Sequence, residues 1–438
     1  MLNALLYNTT FASTIYGYYT GLVYFTPLIG GYIADRYWGN RKSIITGGIL
    51  MALGQFSLAA SSYLYVPPVV QGVTYSSFIF SYQELFFLLG LFLLIMGNGF
   101  FKPNISSMVG FLYSKNDEKK DAAFTIFYMG INLGALLSPL IVGGLGDTGN
   151  PADYMYGFLA AGIGMLIGLA IFLLHKNKYL VTPEGKSVGS IPSHKIQCKE
   201  NSEGALTSIE KQRIAVIFIL SFFSVFFFIA FEQSGTSLTI LAEQHVDRVI
   251  GFLGNYHYSA SWFQTINPLA ILALAPLFAL MWPILRKKGR EPSIPTKMGI
   301  GLVILSLGFL VLLPAAKILD TGNEFISPLW LIMAYVIFTV GELCLSPIGL
   351  SMVSKLSPVR FTCCLMATWF LASSLAGVLS GYLGSLCPSP TRSMTTLLGI
   401  PIDGFISFFM IFIIMSAVAG IILLLLRNKL LKMMHGIH

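Results

Sequence analysis

The stretch LFFLLGLFLLIMGNGFFKPNISSMVGFLY, residues 85–113, decides the class of this protein. It is long enough to cross the hydrocarbon core of a bilayer, which is about 30 Å thick and takes about 20 helical residues. Lys102 is its only charged residue, and a charge at such a depth costs from about 2.5 to more than 10 kcal/mol. Tyr113 lies about 16 Å further along a helix, too far for a lysine stem to reach comfortably. We therefore expect Lys102 to face an interior cavity, with a snorkelling lysine as the alternative.

The whole chain shares this apolar character. Of its 438 residues, 55% are hydrophobic and 11% are charged, and the mean hydropathy is +0.75. A soluble domain carries about twice that charge, so the composition indicates a polytopic membrane protein. The net charge of +8 does not indicate a nucleic-acid partner, because the basic residues are spread over many short loops. The five cysteines show no paired spacing, which argues against a disulfide framework or a zinc site.

Apolar segments long enough to span a membrane recur along the chain. Period-2 alternation is absent, so we predict an all-α protein rather than a barrel. The eleven predicted spans are residues 12–34, 43–63, 85–112, 122–145, 155–175, 212–241, 260–285, 297–316, 328–353, 361–384 and 403–426.

The basic residues also predict the topology. Most of the 27 lysines and arginines fall in the loops of one side, which identifies that side and the C-terminus as cytoplasmic. With an odd number of spans Met1 lies outside, and we therefore expect that one helix is missing before residue 1. The polar stretch 177–210 is predicted to be a flexible cytoplasmic linker between an N-terminal bundle of five spans, residues 1–176, and a C-terminal bundle of six, residues 211–438.

Three ionisable side chains lie deep in predicted spans: Lys102, Glu232 and Glu342. Glu84 and Lys317 lie at span ends, where we expect them to reach water. One of the two deep glutamates can be matched by Lys102, and the other is then able to carry a proton. Structural ion pairs are the alternative explanation for these charges.

Other residues favour a cavity that is lined by polar side chains. Pro103, beside Lys102, bends its helix and frees a carbonyl that must face protein or water. Asn132 and Asn267 lie in apolar segments and offer both a donor and an acceptor. Tyr24 and Trp369 supply amphipathic surface, although interfacial anchoring or packing is the commoner role of such residues in membrane proteins.

No pattern of an enzyme is found. GNGFF, at residues 97–101, lacks the preceding strand and the full spacing of a nucleotide-binding loop, and the chain has no nucleophile elbow or zinc-protease motif. We therefore expect no catalysis and no ATP-driven transport. Any driving force has to be an ion gradient.

Several stretches resemble known transporters. GGYIADRYWGNR, residues 30–41, resembles the loop between the second and third helices of the major facilitator superfamily. More specifically, six stretches in family order resemble the proton-coupled oligopeptide transporter family. They are GGYIADRYWGNR, GNGFFKPNIS (97–106), FYMGINLGALLSPLIVG (127–143), FEQSGTSL (231–238), FQTINPL (263–269) and GELCLSPIGLS (341–351).

The resemblance implies roles for matching residues. Lys102 is similar to the family's lysine for proton coupling and peptide binding, Glu232 to its glutamate for gating and protonation, and Glu342 to its acceptor for the peptide amino terminus. Further matches form the pocket and the cytoplasmic gate. The pocket matches are Tyr24, Asn132, Asn267 and Trp369, and the gate matches are Asp35, Arg36 and Arg41.

The family likeness implies a major facilitator fold with proton-coupled symport of di- and tripeptides by alternating access. The expected partners are these peptides, protons and the lipid of the cytoplasmic (inner) membrane, and we expect a monomer without a cofactor. The family's Glu-x-x-Glu-Arg motif is absent from residues 1–438, in keeping with the missing first helix. Two alternatives therefore stay open: a non-transporting truncated remnant or peptide sensor, and a relative that moves another small substrate.

Overall fold

The structure is a computed structural model, and it divides the chain into two compact units. One contains Met1–Ala12 and Tyr19–Asn201, and the other contains Ser13–Tyr18 and Ser202–His438. The division into an N-terminal bundle, residues 1–176, a linker and a C-terminal bundle, residues 211–438, stays a prediction. The described residues are 1–67, 73–112, 119–181, 187–189, 206–250, 256–358, 362–388, 395–397 and 399–436.

Helices dominate both units. Five helices precede the predicted linker: α1 (Thr9–Ile33), α2 (Gly39–Tyr63), α3 (Tyr82–Phe111), α4 (Lys119–Gly146) and α5 (Tyr154–Tyr179). Nine follow it: α6 (Ser208–Phe231), α7 (Ser237–His245), α8 (Ile266–Lys287), α9 (Ile294–Val311), α10 (Leu313–Asp320), α11 (Pro328–Leu343), α12 (Ser346–Leu356), α13 (Thr362–Gly384) and α14 (Phe405–Met434). Two short antiparallel hairpins complete the described structure: β1 (Val249–Ile250) with β2 (Tyr256–His257), and β3 (Thr395–Leu397) with β4 (Ile400–Ile402).

The predicted spans coincide with helices. Among the described residues, nine helical segments are long and apolar enough to cross a membrane. The first, Thr9–Tyr63, has 55 residues and includes two predicted spans, while the predicted span 361–384 coincides with α13. The all-α membrane architecture is therefore confirmed, and the count of eleven crossings stays a prediction.

Glycines fix the packing of the first three helices. A Cβ at Gly30 of α1 would lie 2.0 Å from the carbonyl oxygen of Gly99 in α3, and a Cβ at Gly47 of α2 would lie 2.7 Å from that of Gly97. Helices α1 and α2 thus both contact one short part of α3, so the chain reverses between them. The reversal occurs at Gly39, whose φ of 74° is a conformation that glycine adopts without a steric penalty.

Aromatic side chains fill the core of the second unit. Phe309 of α9 lies between Phe338 of α11 and Phe412 of α14, with ring centroids 4.7 and 5.0 Å away. All three side chains are almost fully buried. This packing joins helices that are distant in sequence and gives the unit a rigid centre.

The start of the predicted linker packs on the first unit. Val188 is 4% exposed and lies in a cluster with Ile44 of α2 and Met108 of α3. The expectation of a flexible linker therefore does not hold for residues 187–189, because burial of Val188 ties them to the helix ends. Most of the predicted linker, residues 182–186 and 190–205, lies outside the described residues.

Glu291 lies in the turn between α8 and α9, outside the predicted spans, and forms a charged cluster with residues at the ends of these helices. Glu291 lies 2.6 Å from Arg286 and 2.7 Å from Lys297, and the Lys297 ammonium lies 4.4 Å from the ring centroid of Trp282. The hydrogen bond from Arg286, together with Lys297, lowers the pKa of Glu291 to about 2. The charged form of Glu291 therefore stabilises this turn.

Gly30→Ala tests the contact between α1 and α3. The added methyl group meets a backbone carbonyl that cannot rotate away, so we expect a loss of about 1–3 kcal/mol in stability, although alanine favours a helix over glycine by about 1 kcal/mol. Gly164→Ala on α5 is the matched control, since its Cβ meets no atom within 4 Å. Thermal unfolding of the purified protein in detergent measures both, and equal midpoints for the two variants would contradict the assigned contact.

Glu291→Gln tests the turn between α8 and α9 through its pH dependence. Because folding depresses the pKa of Glu291, its stabilisation is present above about pH 4.5 and disappears as the pH falls towards 2. The wild-type protein should therefore unfold at a higher temperature than the variant at pH 6, and the difference should shrink between pH 4.5 and 3. The exposed Glu324→Gln is the control, and a difference that is constant with pH would disprove the assignment.

Candidate functional site

Lys102 lies on α3 and contacts the ring of Tyr24 on α1. Its ammonium nitrogen is 4.3 Å from the centroid of that ring, within the range of a cation–π interaction. The side chain of Lys102 is exposed rather than enclosed by the first unit. The structure thus brings together two residues that the sequence places 78 positions apart.

Proline and glycine explain this placement. Pro103 lies inside α3 and has no N–H, so the carbonyl of Gly99, four residues earlier, loses its helical partner. That carbonyl faces Gly30 of α1, where the absence of a side chain allows close approach. The hydroxyl of Thr26 fixes the same crossing by donating to the carbonyl of Ile95 over 2.9 Å.

Asn132 on α4 is the other predicted pocket residue of the first unit. It is 5% exposed, and its amide nitrogen donates to the carbonyl of Tyr128 in the same helix over 2.9 Å. The side-chain oxygen is the group of Asn132 that can accept a hydrogen bond.

Glu342 anchors a polar network in the second unit. Asn267 of α8 donates from its amide nitrogen to the carboxylate of Glu342 over 2.8 Å and to the hydroxyl of Thr339 over 3.0 Å. Thr339 donates to the carbonyl of Tyr335 over 2.8 Å, and the Tyr335 hydroxyl donates to the carbonyl of Ser234 over 3.0 Å. The network fixes the orientation of the Glu342 carboxylate with respect to α8.

Sequence reasoning identified Glu342 and Asn267 but missed the rest of this network. Tyr335, Thr339 and Glu342 are spaced by four and three residues, which places them on one face of α11. That spacing is the feature of the sequence from which Tyr335 and Thr339 could have been predicted as neighbours of Glu342. The α11 helix ends at Leu343, and α12 begins with Pro347 in its first turn, so Glu342 lies at a helix break.

Glu232 also lies at a helix break. It is the C-cap of α6 and begins a 3-10 turn that extends to Gly235. Its neighbour Gln233 is fully buried, donates to Ser380 of α13, and accepts from the hydroxyl of Ser237 over 2.7 Å. Gln233, which the sequence analysis missed, therefore holds the irregular segment that presents Glu232.

Trp369 belongs to the packed core of the second unit. It is 4% exposed and lies edge-on to Phe228 of α6 at a centroid distance of 6.3 Å. A Cβ at Gly349 of α12 would lie 2.0 Å from its ring. The structure thus places Trp369 in contact with α6 and α12.

The predicted gate residues follow α1 and have different surroundings. Asp35 and Arg36 are exposed, and the guanidinium of Arg36 donates to the hydroxyl of Tyr32 over 2.7 Å. Arg41 donates to the carbonyls of Val188, Lys176 and Leu180, the last two at the end of α5. A cation there complements the negative end of the helix dipole.

Glu84 differs from the sequence-based expectation that it reaches water. It is 3% exposed, accepts hydrogen bonds from the hydroxyl of Tyr7 and from the backbone N–H groups of Ile79 and Phe80, and lies in the first turn of α3. The expectation is wrong because residues before α1 fold over this helix end.

The part of the chain that the structure describes contains no group of three or more potential metal ligands among its His, Cys, Asp and Glu residues.

Comparisons with known proteins agree with this architecture. A profile described as the POT family matches residues 41–202 and 194–398. The chain is 34% identical over 427 residues to a peptide transporter of Yersinia enterocolitica subsp. palearctica, covering 85% of this chain and 79% of that protein. It is 30% identical to a di-/tripeptide transporter of Lactococcus lactis subsp. cremoris, covering 97% of this chain and 87% of that protein.

A solved structure has the same fold. A mutant of a peptide transporter POT, crystallised in complex with alafosfalin, superposes with a TM-score of 0.80 at 29% sequence identity, covering 99% of this chain and 88% of that one. The chain therefore belongs to the POT family, the proton-coupled oligopeptide transporters of the major facilitator superfamily.

Proposed function

We propose that this protein is a multi-pass membrane transporter that moves di- and tripeptides together with protons by alternating access. Membership of the POT family supports the reaction, and relatives of similar length carry the names of peptide and di-/tripeptide transporters. The observation that carries the proposal is the pair of fixed charges, one in each unit: Lys102 beside Tyr24, and Glu342 held by Asn267.

Peptide chemistry explains both charges. A dipeptide in water is a zwitterion, so a binding site needs a cation for its carboxylate and an anion for its amino group. Lys102 supplies the cation and Glu342 the anion, while Asn132 and Asn267 bind the peptide amide. Tyr24 lines the pocket at its cationic end. We also assign Trp369, which packs on Gly349, to peptide binding.

Proton coupling is assigned to Lys102, Glu232 and Glu342. Proton exchange at a carboxylate changes its charge and therefore its affinity for an amino group. The helix breaks at Glu232 and Glu342 support this assignment, since irregular backbone in a membrane protein occurs where it lines a cavity. We assign Asp35, Arg36 and Arg41 to the cytoplasmic gate.

The distribution of basic residues supports a cytoplasmic C-terminus in the inner membrane, and we propose that a single chain is the transporting unit. The alternative function is that of a non-transporting peptide sensor. Counterflow of labelled dipeptide in proteoliposomes separates the two. Peptide binding without counterflow would identify a sensor, and counterflow would establish transport.

Lys102→Ala should strongly reduce uptake driven by a proton gradient. Removal of the cation eliminates both the partner of the peptide carboxylate and a coupling charge, so we expect uptake to fall by about tenfold or more, where about 1.4 kcal/mol corresponds to a factor of ten. The matched control is Lys178→Ala, since Lys178 also lies over a tyrosine ring, at 5.2 Å from Tyr179, but follows the predicted span. Equal uptake by both variants would refute the role of Lys102.

Glu342→Gln should weaken recognition of the peptide amino terminus. The glutamine retains the hydrogen bond with Asn267 but loses the charge, so the wild-type preference for a free over an N-acetylated dipeptide should fall by about tenfold. Competition for binding in detergent measures this preference without requiring transport. Glu324→Gln is the control in the same unit, and an unchanged preference in Glu342→Gln would assign the amino group to another residue.

A further inference from the structure

One face of helix α8 carries an exposed apolar stripe. Leu277, Leu280 and Ile284 are between 51% and 65% exposed, and their spacing of three and four residues places them on the same face. Helix α8 belongs to a segment that is long and apolar enough to cross a membrane, and such a face lies against the hydrocarbon of the bilayer. We call these three residues the apolar stripe.

The same face of α8 continues into basic residues. Lys287 and Lys288 follow Ile284 by three and four residues, so their side chains extend the line of the apolar stripe. Lys287 lies about 15 Å along the helix from Leu277, which is half of a hydrocarbon core about 30 Å thick. The stripe and the lysines therefore match the dimensions of one lipid leaflet, with the lysines at the level of the headgroups.

A tight turn adds a third cation beside the end of the helix. Gly289 has a φ of 65°, and the backbone N–H of Arg290 donates to the carbonyl of Leu285 over 2.9 Å. Arg290 therefore stays next to the last turn of α8. The side chains of Lys287, Lys288 and Arg290 are exposed, and we call these three residues the cationic end.

The nearby carboxylate does not neutralise the cationic end. Glu291 binds Arg286 and Lys297, and the helical repeat places Arg286 on the face of α8 opposite to Leu277. By contrast, no side chain of the cationic end forms an ion pair or a hydrogen bond with a described residue. The cationic end thus has positive charges that are available to a ligand.

An anionic phospholipid fits both parts of this face. Its phosphate pairs with lysine and arginine, its acyl chains cover an apolar helix surface, and basic clusters next to a membrane span attract anionic headgroups. A free phosphate ion would use only the cationic end, and a zwitterionic lipid carries an ammonium group that the cations repel. The continuity of stripe and cations therefore favours an anionic lipid over both.

We propose that the apolar stripe and the cationic end of α8 together form a binding site for an anionic phospholipid. The cationic end binds the phosphate of the headgroup, and the apolar stripe contacts an acyl chain. Glu291 confines the site to one face, because it neutralises the basic residues on the other side of the turn. The proposal concerns lipid binding and is independent of the peptide-transport function.

Native mass spectrometry of the full chain in detergent tests the proposal, because it resolves how many lipids of each class stay bound. The probes are dioleoyl phosphatidylglycerol, which is anionic, and dioleoyl phosphatidylcholine, which is zwitterionic and has the same chains. Wild type should bind its first phosphatidylglycerol about tenfold more tightly than phosphatidylcholine, or by about 1.4 kcal/mol. More concentrated ammonium acetate should reduce this preference, since salt screens exposed charges.

Substitutions then assign the preference to the cationic end. The triple variant Lys287→Gln, Lys288→Gln and Arg290→Gln should bind the two lipids with equal affinity. All three side chains are exposed, so the variant should elute from gel filtration as wild type does.

The matched control removes the same charge from the end of another helix. It combines Arg427→Gln, Lys429→Gln and Lys432→Gln on α14, where the spacing distributes the side chains around the helix instead of along one face. This variant should retain the preference for phosphatidylglycerol.

Four results would overturn the proposal. They are equal affinity of wild type for the two lipids, equal loss of preference in both triple variants, displacement of phosphatidylglycerol by an equal concentration of inorganic phosphate, and equal affinity for dihexanoyl and dioleoyl phosphatidylglycerol. The third result would assign the cationic end to a free anion, and the fourth would exclude the apolar stripe. If a triple variant does not fold, the comparison of lipids and its salt dependence in wild type still decide the question.

Discussion

The carbonyl oxygen of Gly99 is the group on which the first unit depends. Pro103 deprives it of its helical hydrogen bond, and in a membrane such a group has to face protein or water. It faces Gly30, so α1 and α3 meet at their backbones. That contact places the Tyr24 ring 4.3 Å from the Lys102 ammonium. One proline and two glycines thus determine the position of a cation that lipid alone would not accommodate.

In the second unit, a different structural feature positions the carboxylates of Glu232 and Glu342. Glu232 and Glu342 both lie where a helix ends and a new one begins after a short irregular segment. Helix ends have unsatisfied backbone groups, and buried side chains supply partners for the surrounding polar atoms. Gln233 does so near Glu232, and Asn267 with Thr339 near Glu342. Each carboxylate is therefore held in a local polar environment inside an otherwise apolar bundle.

Glycines have two different roles in the first unit. At Gly30, Gly47 and Gly99 they permit a contact that is present, whereas at Gly134 and Gly168 they leave a helix backbone open. Both sets have the same chemistry and the same helical context. Among the described residues, only the presence or absence of a neighbouring helix distinguishes them.

The sequence by itself determined the membrane class, the helical spans and the intramembrane charges, because hydropathy and the cost of a buried charge are local properties of the chain. It also identified the family through motifs in their order. Tertiary structure decided which residues meet. It paired Lys102 with Tyr24 and Glu342 with Asn267, placed Trp369 in the core, and buried Glu84 instead of exposing it. These outcomes depend on helix crossings set by the fit of distant side chains, and span hydropathy contains no information about that fit.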